Sequence, residues 1–317
     1  MKIVVYYGFT EKELDLMKGR VAKLGHELIH VTTDEEAISH IDKAEVLMGH
    51  FSPVVTNAGK RLKWIQSFSA GMDKLLDKDI TERDDLTITN MAGLYAPQGG
   101  EHAWALLLAL ARGVVPALQS QIRGEWKGGA AIEITGGVLG IIGLGGFGIE
   151  TVKRAAGYDM TVLALDPVRT DSPEGVLEIR KPTKENLHSL LKRSDAVVVT
   201  CPRTEETYHM ISRDEIACMK DTAYLVCTSR GGIIDENALL QALEKGLIAG
   251  AGLDVTEVEP LPANDPLWKA PNLLLTPHRA GASQHRPRKV YEFFNAQLDR
   301  YLNGQPVINV VGKRRGF

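Results

Sequence analysis

Short apolar runs recur along the whole chain, each bounded by Gly, Pro, Asp or Asn and followed by a stretch with helical spacing. In the first third, runs at 2–7, 26–31, 45–50, 62–67 and 86–90 are rich in β-branched and aromatic residues and predict strands. Thr10-x-x-Glu13 is a capping box that opens a helix to about residue 24. From residue 138 onward, further strands are predicted at 138–142, 160–165, 195–200, 223–228, 249–254 and 273–276. They are near-continuous apolar runs, as strands covered on both faces of a parallel sheet must be. Helices fill the gaps, with Ser212-x-x-Glu215 as a second capping box. The alternation predicts an α/β protein built on parallel sheets.

Between the two series, a helix is predicted from about residue 98 to 112. Its segment 103–110 is apolar on every side, which predicts a buried spine at a domain interface. Residues 113–137, Gly-rich and holding Trp126, read as an exposed excursion, and a last helix spans about 283–302. A length of 317 residues predicts two domains.

Charge and cysteine content narrow the partners. With 37 basic and 40 acidic residues, the balance gives no electrostatic reason to bind nucleic acid or an acidic membrane. The tail Lys313-Arg314-Arg315 is too short to change that. The first apolar run is a strand in length rather than a signal peptide, and the longest apolar stretch, 103–111, is far short of a membrane span. Cys201, Cys218 and Cys227 are odd in number and lack metal-ligand spacing; two of them sit at ends of predicted strands, where buried free thiols are expected, and no metal, no disulfide framework and a cytoplasmic location are expected.

The ends of the later strands carry the chemistry. In order they are Gly143, Asp166, Pro202, Arg230, Asp254 and His278. Open parallel sheets bind ligands at the carboxyl ends of their strands, so this row predicts one chemical face. Gly143-Leu144-Gly145-Gly146-Phe147-Gly148 fits G-x-G-x-x-G between a strand and a helix. Gly143 would make the tight turn, Gly145 would admit a pyrophosphate, and Gly148 would let helix and strand pack closely. Asp166, 18 residues after Gly148, is placed to accept hydrogen bonds from an adenosine ribose, which favours NAD over NADP. Arg169 lies close enough to weaken that preference.

Arg230 follows a strand and can hold a carboxylate with two parallel hydrogen bonds. His278 follows a strand and a proline that fixes the turn. Asp254, Glu257 and Glu259 share the loop 254–260, and spacing alone does not choose among them. A carboxylate beside an imidazole favours its proton-donating form, and such a pair can protonate a carbonyl oxygen as hydride reaches the carbon. Together the residue types predict reduction of a 2-keto acid or oxidation of a 2-hydroxy acid.

On these residues the chain resembles the D-isomer-specific 2-hydroxyacid dehydrogenase family over nearly its whole length. The resemblance is carried by Ser67-Phe68-Ser69-Ala70-Gly71-Met72-Asp73, Gly100-Glu101-His102-Ala103, residues 139–148, 201–207, 229–235, Gly252-Leu253-Asp254-Val255 and 276–281. It implies Arg230, Glu259 and His278 as catalytic residues, choosing Glu259 over Glu257. It implies that the backbone at Ser69, Ala70 and Gly71 binds the substrate carboxylate together with Arg230 and His278. It places Gly143, Gly145, Gly146, Phe147, Gly148 and Asp166 at the dinucleotide, Pro202 and Thr207 beside its adenosine half, and Asp254 near the nicotinamide carboxamide. Cys227, Thr228, Ser229, His278 and Gly281 complete the implied cofactor site. The implied architecture is two Rossmann- or flavodoxin-like domains with a cleft between them, 1–95 plus 283–317 for substrate and 96–282 for NAD, in a homodimer joined partly through the excursion that holds Trp126.

Three residues depart from the family pattern. Arg203 stands where Leu is common, and Asp159 replaces a common Gly as a harmless turn change. Arg279 stands where an apolar residue is usual; it either faces the cleft toward a second anionic group on the substrate or turns to solvent or an interface acid. Glyoxylate, hydroxypyruvate and pyruvate are the expected substrates. A nucleotide-sensing corepressor-like protein and a phosphite-type dehydrogenase share the pattern, whereas a formate enzyme would carry Gln in place of Glu259.

Overall fold

The computed structural model describes residues 1–72 and 75–313, so Asp73 and the tail residues Arg314 and Arg315 lie outside the described residues. The chain divides into two compact units, Met1–Leu94 with Ser283–Phe317, and Tyr95–Ala282.

The first unit holds a five-stranded parallel sheet of β1 (Lys2–Tyr6), β2 (Glu27–His30), β3 (Val46–Gly49), β4 (Trp64–Ser67) and β5 (Thr87–Thr89). Its order, β2-β1-β3-β4-β5, is the flavodoxin-like doubly wound order. Thr10 caps the helix Glu11–Lys23 as its sequence predicts: Oγ1 accepts from the Glu13 amide, and Glu13 returns a bond to the Thr10 amide. Val4, Leu47, Ile65 and Ile88, at matching registers of neighbouring strands, pack in one buried cluster.

The second unit holds a seven-stranded parallel sheet of β6 (Val138–Ile142), β7 (Thr161–Leu165), β8 (Val176–Arg180), β9 (Ala196–Val199), β10 (Tyr224–Cys227), β11 (Gly250–Leu253) and β12 (Leu273–Leu275). The order β12-β11-β10-β9-β6-β7-β8 reverses between β6 and β9, the point where open α/β sheets take nucleotides. The strand β8 is missing from the sequence reading. It is an edge strand paired only to β7, with a register shift, and its mixed residues Val-Leu-Glu-Ile-Arg give no apolar run.

Two further differences concern the segment after residue 95. The helix Ala96–Ala111 buries Ala103, Trp104, Leu106, Leu107 and Leu110 but leaves Ala105 exposed and Leu108 half-buried, so it is not covered all round. The excursion contains a helix, Val114–Ile122, whose Val114, Leu118 and Ile122 share one exposed face. No single helix among the described residues is long and apolar enough to cross a membrane.

Candidate functional site

The nucleotide turn is shaped by what its glycines exclude. Gly143 has a φ of +98°, a conformation that glycine adopts without steric cost. A Cβ on Gly143 would stand 2.6 Å from the Cys201 amide nitrogen, and one on Gly148 would stand 2.2 Å from the Gly143 carbonyl oxygen. Gly145 caps the helix Gly146–Ala155 with no side-chain bond, and a Cβ there would meet nothing within 4 Å. The turn is thus closed on two sides and open on the third, beside a helix start that carries partial positive charge. The Phe147 ring packs on Gly99, which leaves only its backbone for a ligand.

Asp166 follows β7 and accepts from the amides of Leu144 (2.8 Å), Val168 (2.9 Å) and Arg169 (2.7 Å). Burial opposes its ionisation, but those amides outweigh it and hold the carboxyl below its ordinary range. The Arg169 guanidinium pairs with Asp171 at 3.1 Å. Pro202 and Thr207 meet in one turn, where Thr207 Oγ1 donates to the Pro202 carbonyl at 2.8 Å. Cys201 and Cys227 are buried, and burial pushes the Cys201 thiol up to about 12, so both are inert packing groups. Thr228 Oγ1 is buried and makes no hydrogen bond with a described residue. An open glycine turn, a helix start, an anionic Asp166 and a buried Thr228 hydroxyl with no partner among the described residues, all on one sheet end, together fit a dinucleotide.

Arg230 follows β10, half-buried, with Nη1 donating to the Ser229 carbonyl at 2.7 Å. Glu259 Oε2 lies 2.9 Å from His278 Nδ1, and Glu259 Oε1 accepts from the Thr256 amide at 3.2 Å. Glu257 points elsewhere: its oxygens take the Tyr208 hydroxyl at 2.6 Å and His209 Nε2 at 3.3 Å. The Arg203 guanidinium lies 5.0 Å over the Tyr208 ring, braced into this same cluster. Gly231 makes the crossing of the two loops possible, since a Cβ on it would stand 1.9 Å from the Thr256 carbonyl oxygen.

His278 sits at φ +52°, a left-handed conformation that costs a non-glycine residue about 1–2 kcal/mol. Asp254, fully buried, offsets that cost. Its carbonyl accepts from the His278 amide at 2.8 Å, Oδ1 from the Arg279 amide and Thr276 Oγ1 at 2.7 Å each, and Oδ2 from the Ala280 amide at 2.7 Å. His102 Nε2 adds contacts of 2.8 Å to Thr276 Oγ1 and 3.2 Å to Asp254 Oδ1. Burial pushes Asp254 toward protonation, yet the bonds from His102, Thr276, Arg279 and Ala280 prevail and hold it below its ordinary range. The Arg279 side chain is exposed, and Gly281 lies beside Tyr95. Sequence reasoning gave His102 and Thr276 no role, although both lie in segments that carry the family resemblance, Gly100-Glu101-His102-Ala103 and 276–281.

In the first unit, the turn after β4 is fixed by its carbonyls: Ser69 accepts from the Met91 amide at 3.0 Å and Ala70 from Asn90 Nδ2 at 2.8 Å. The Ser69 amide donates to Ser67 Oγ at 3.0 Å. Among the described residues no group of three or more His, Cys, Asp or Glu side chains is arranged to hold a metal ion.

A family model described as D-isomer specific 2-hydroxyacid dehydrogenase, NAD binding domain, matches residues 104–280. A glyoxylate reductase of Korarchaeum cryptofilum is 35% identical over 307 residues, covering 95% of this chain and 90% of that protein. One from Pyrococcus horikoshii is 40% identical over 262 residues, 80% of this chain and 76% of that protein. Among solved structures, a D-isomer specific 2-hydroxyacid dehydrogenase family protein from Aeromonas salmonicida superposes with a TM-score of 0.84 at 28% identity, covering 98% of this chain and 99% of that one.

Proposed function

This chain belongs to the D-isomer specific 2-hydroxyacid dehydrogenase family and is an NAD(P)-dependent oxidoreductase, and on that premise we propose that it reduces small 2-keto acids of the glyoxylate, hydroxypyruvate or pyruvate class with NADH. The observation that carries the reading is the 2.9 Å contact of Glu259 with His278 Nδ1, which leaves Nε2 of a half-exposed ring to meet a substrate oxygen. In reduction His278 gives the Nε2 proton to the carbonyl oxygen; in oxidation the same nitrogen takes the hydroxyl proton. Glu259 holds the ring and balances the imidazolium charge. Arg230 binds the substrate carboxylate and polarises the carbonyl.

The nicotinamide, when bound, supplies the hydride and takes it back in the reverse direction. Gly143, Gly145, Gly146, Phe147 backbone and Gly148 would hold the pyrophosphate, Asp166 the ribose, Pro202 and Thr207 the adenosine half. Cys227, Thr228, Ser229, Asp254, His278 and Gly281 would line the nicotinamide half. An ionised Asp166 repels a 2′-phosphate, and a penalty of about 1.4 kcal/mol is already tenfold. NADH and NADPH oxidation followed across a panel of 2-keto acids should therefore show turnover on glyoxylate or hydroxypyruvate, with kcat/KM about tenfold or more higher for NADH. No turnover despite tight NADH binding would favour a nucleotide sensor, and a preference for NADPH would sink the Asp166 argument.

A homodimer accounts for the apolar surface of the second unit. Val114, Leu118 and Ile122 line one helix face in solvent and Trp126 is fully exposed. Nearby, Glu101, Trp104, Ala105, Leu108, Arg154 and Tyr158 line a shallow groove. Patches of this kind mark interaction surfaces. Leu118→Glu combined with Trp126→Ala should shift the protein toward monomer in light scattering; an unchanged mass would place the contact elsewhere.

A further inference from the structure

We propose that His102 is a positioning residue for the reaction, its Nε2–H fixing, through Thr276 and Asp254, the turn on which His278 stands. The inference rests on the reading of His278 as proton donor.

Hydrogen-bond accounting assigns the proton. Asp254 is ionised and can only accept. Thr276 Oγ1 lies 2.7 Å from Asp254 Oδ1, so its single proton points there. The hydroxyl oxygen is then an acceptor toward His102, and His102 Nε2, 2.8 Å from it and 3.2 Å from Oδ1, must carry a hydrogen. An imidazole with bare Nε2 would face two acceptors with nothing to give.

The backbone is built to deliver that donor. His102, Leu106 and Leu110 succeed one another at four-residue intervals on one face of the helix Ala96–Ala111. The face lies on β11 where that strand has glycine: a Cβ on Gly252 would stand 3.1 Å from Leu106 Cβ, and one on Gly250 would stand 3.4 Å from a Leu110 methyl. The absence of side chains there lets the helix approach, and one turn before Leu106 it brings His102 to the ends of β11 and β12. Those ends need support from outside the sheet. The strand β12 is an edge strand, paired on one side only, and Leu253 registers with Leu275, which sets Asp254 beside Thr276. Around His278, residues 276, 278, 279 and 280 all bond to Asp254, and the left-handed residue between them depends on that fixed frame. Without His102, the Thr276 hydroxyl and the Asp254 carboxylate lose the link that His102 gives them to the helix. A donor misplaced by an ångström loses about 100-fold in rate.

Steady-state reduction and NADH binding, the latter by fluorescence titration, test this in wild type, His102→Leu, His102→Gln and His278→Ala. His102→Leu removes the donor; His102→Gln returns an amide N–H at about the reach of Nε2. The expected result is a kcat lowered about 10- to 100-fold in His102→Leu, with KM and NADH affinity within about twofold of wild type, and recovery in His102→Gln to within about threefold. A His102→Leu enzyme with wild-type kcat would overturn the proposal, as would a His102→Gln enzyme as impaired as His102→Leu. Equal loss of NADH affinity in both would make His102 a general support of the unit and also overturn it. Should His102→Leu not fold, His102→Asn takes its place, since its shorter amide cannot reach Thr276 and must show the same loss. In wild-type protein labelled with ¹⁵N-histidine, the His102 resonance, assigned by its disappearance in His102→Gln, should report a protonated Nε2; a bare Nε2 would overturn the proposal whatever the kinetics. If His278→Ala keeps its turnover, the reading of His278 fails instead.

Discussion

His278→Ala should lower kcat for 2-keto acid reduction by about 100- to 10,000-fold while leaving NADH affinity within about twofold of wild type. That range is what a positioned proton donor contributes. The ring is half-exposed and touches Glu259 at its inner nitrogen, so truncating it removes the outer nitrogen without opening the buried core. The backbone needs separate treatment, because residue 278 is left-handed and alanine is strained there. His278→Asn tolerates that conformation and supplies no comparable acid. Matching losses of kcat in the two variants, with NADH still bound, would assign the effect to the missing imidazole. Retained turnover in both would remove His278 from the chemistry. Loss of NADH binding in Ala but not in Asn would trace the Ala effect to the distorted turn rather than to the missing acid.

How much of this site can be read before folding depends on where each residue gets its position. The glycine turn is legible because its constraints are local: Gly143 needs a positive φ, and Gly148 must clear a carbonyl five residues back. The parallel sheets are legible because buried strands are apolar on both faces, and for the same reason the partly exposed edge strand β8 is not. Glu257 and Glu259 are two residues apart in one loop, and no local rule separates them. Their orientations are set by partners far along the chain: Tyr208 and His209 draw Glu257 away, and Glu236 accepts from its amide. His102 is harder still. It sits at the start of an apolar helical run, where periodicity sees only a core face, and its meaning comes from Thr276, 174 residues later. The glycines of β11 lie where the helix crosses that strand, and nothing in the strand's own sequence says why they are there.

Glu259→Gln should cost about 1,000- to 10,000-fold in both directions, comparable to the loss when the acid orienting a catalytic histidine becomes an amide. The geometry fixes which way the new amide faces. Oε1 of Glu259 accepts from the Thr256 amide, which can only donate, so the glutamine carbonyl must take that place. The glutamine NH₂ then occupies the Oε2 position, 2.9 Å from His278 Nδ1 in the wild-type geometry. Facing a donor, Nδ1 must present its lone pair, and the neutral ring carries its hydrogen on Nε2. Such a ring can neither deliver a proton from an imidazolium during reduction nor accept one at Nε2 during oxidation. Glu259→Asp keeps an acceptor and should lose less than Gln despite its shorter reach. NADH affinity should hold in both variants, because the cofactor residues are untouched. Reduction and oxidation rates within about threefold of wild type in Glu259→Gln would show that the carboxylate does not set the ring's tautomer; loss in one direction alone would show that it acts through charge rather than orientation.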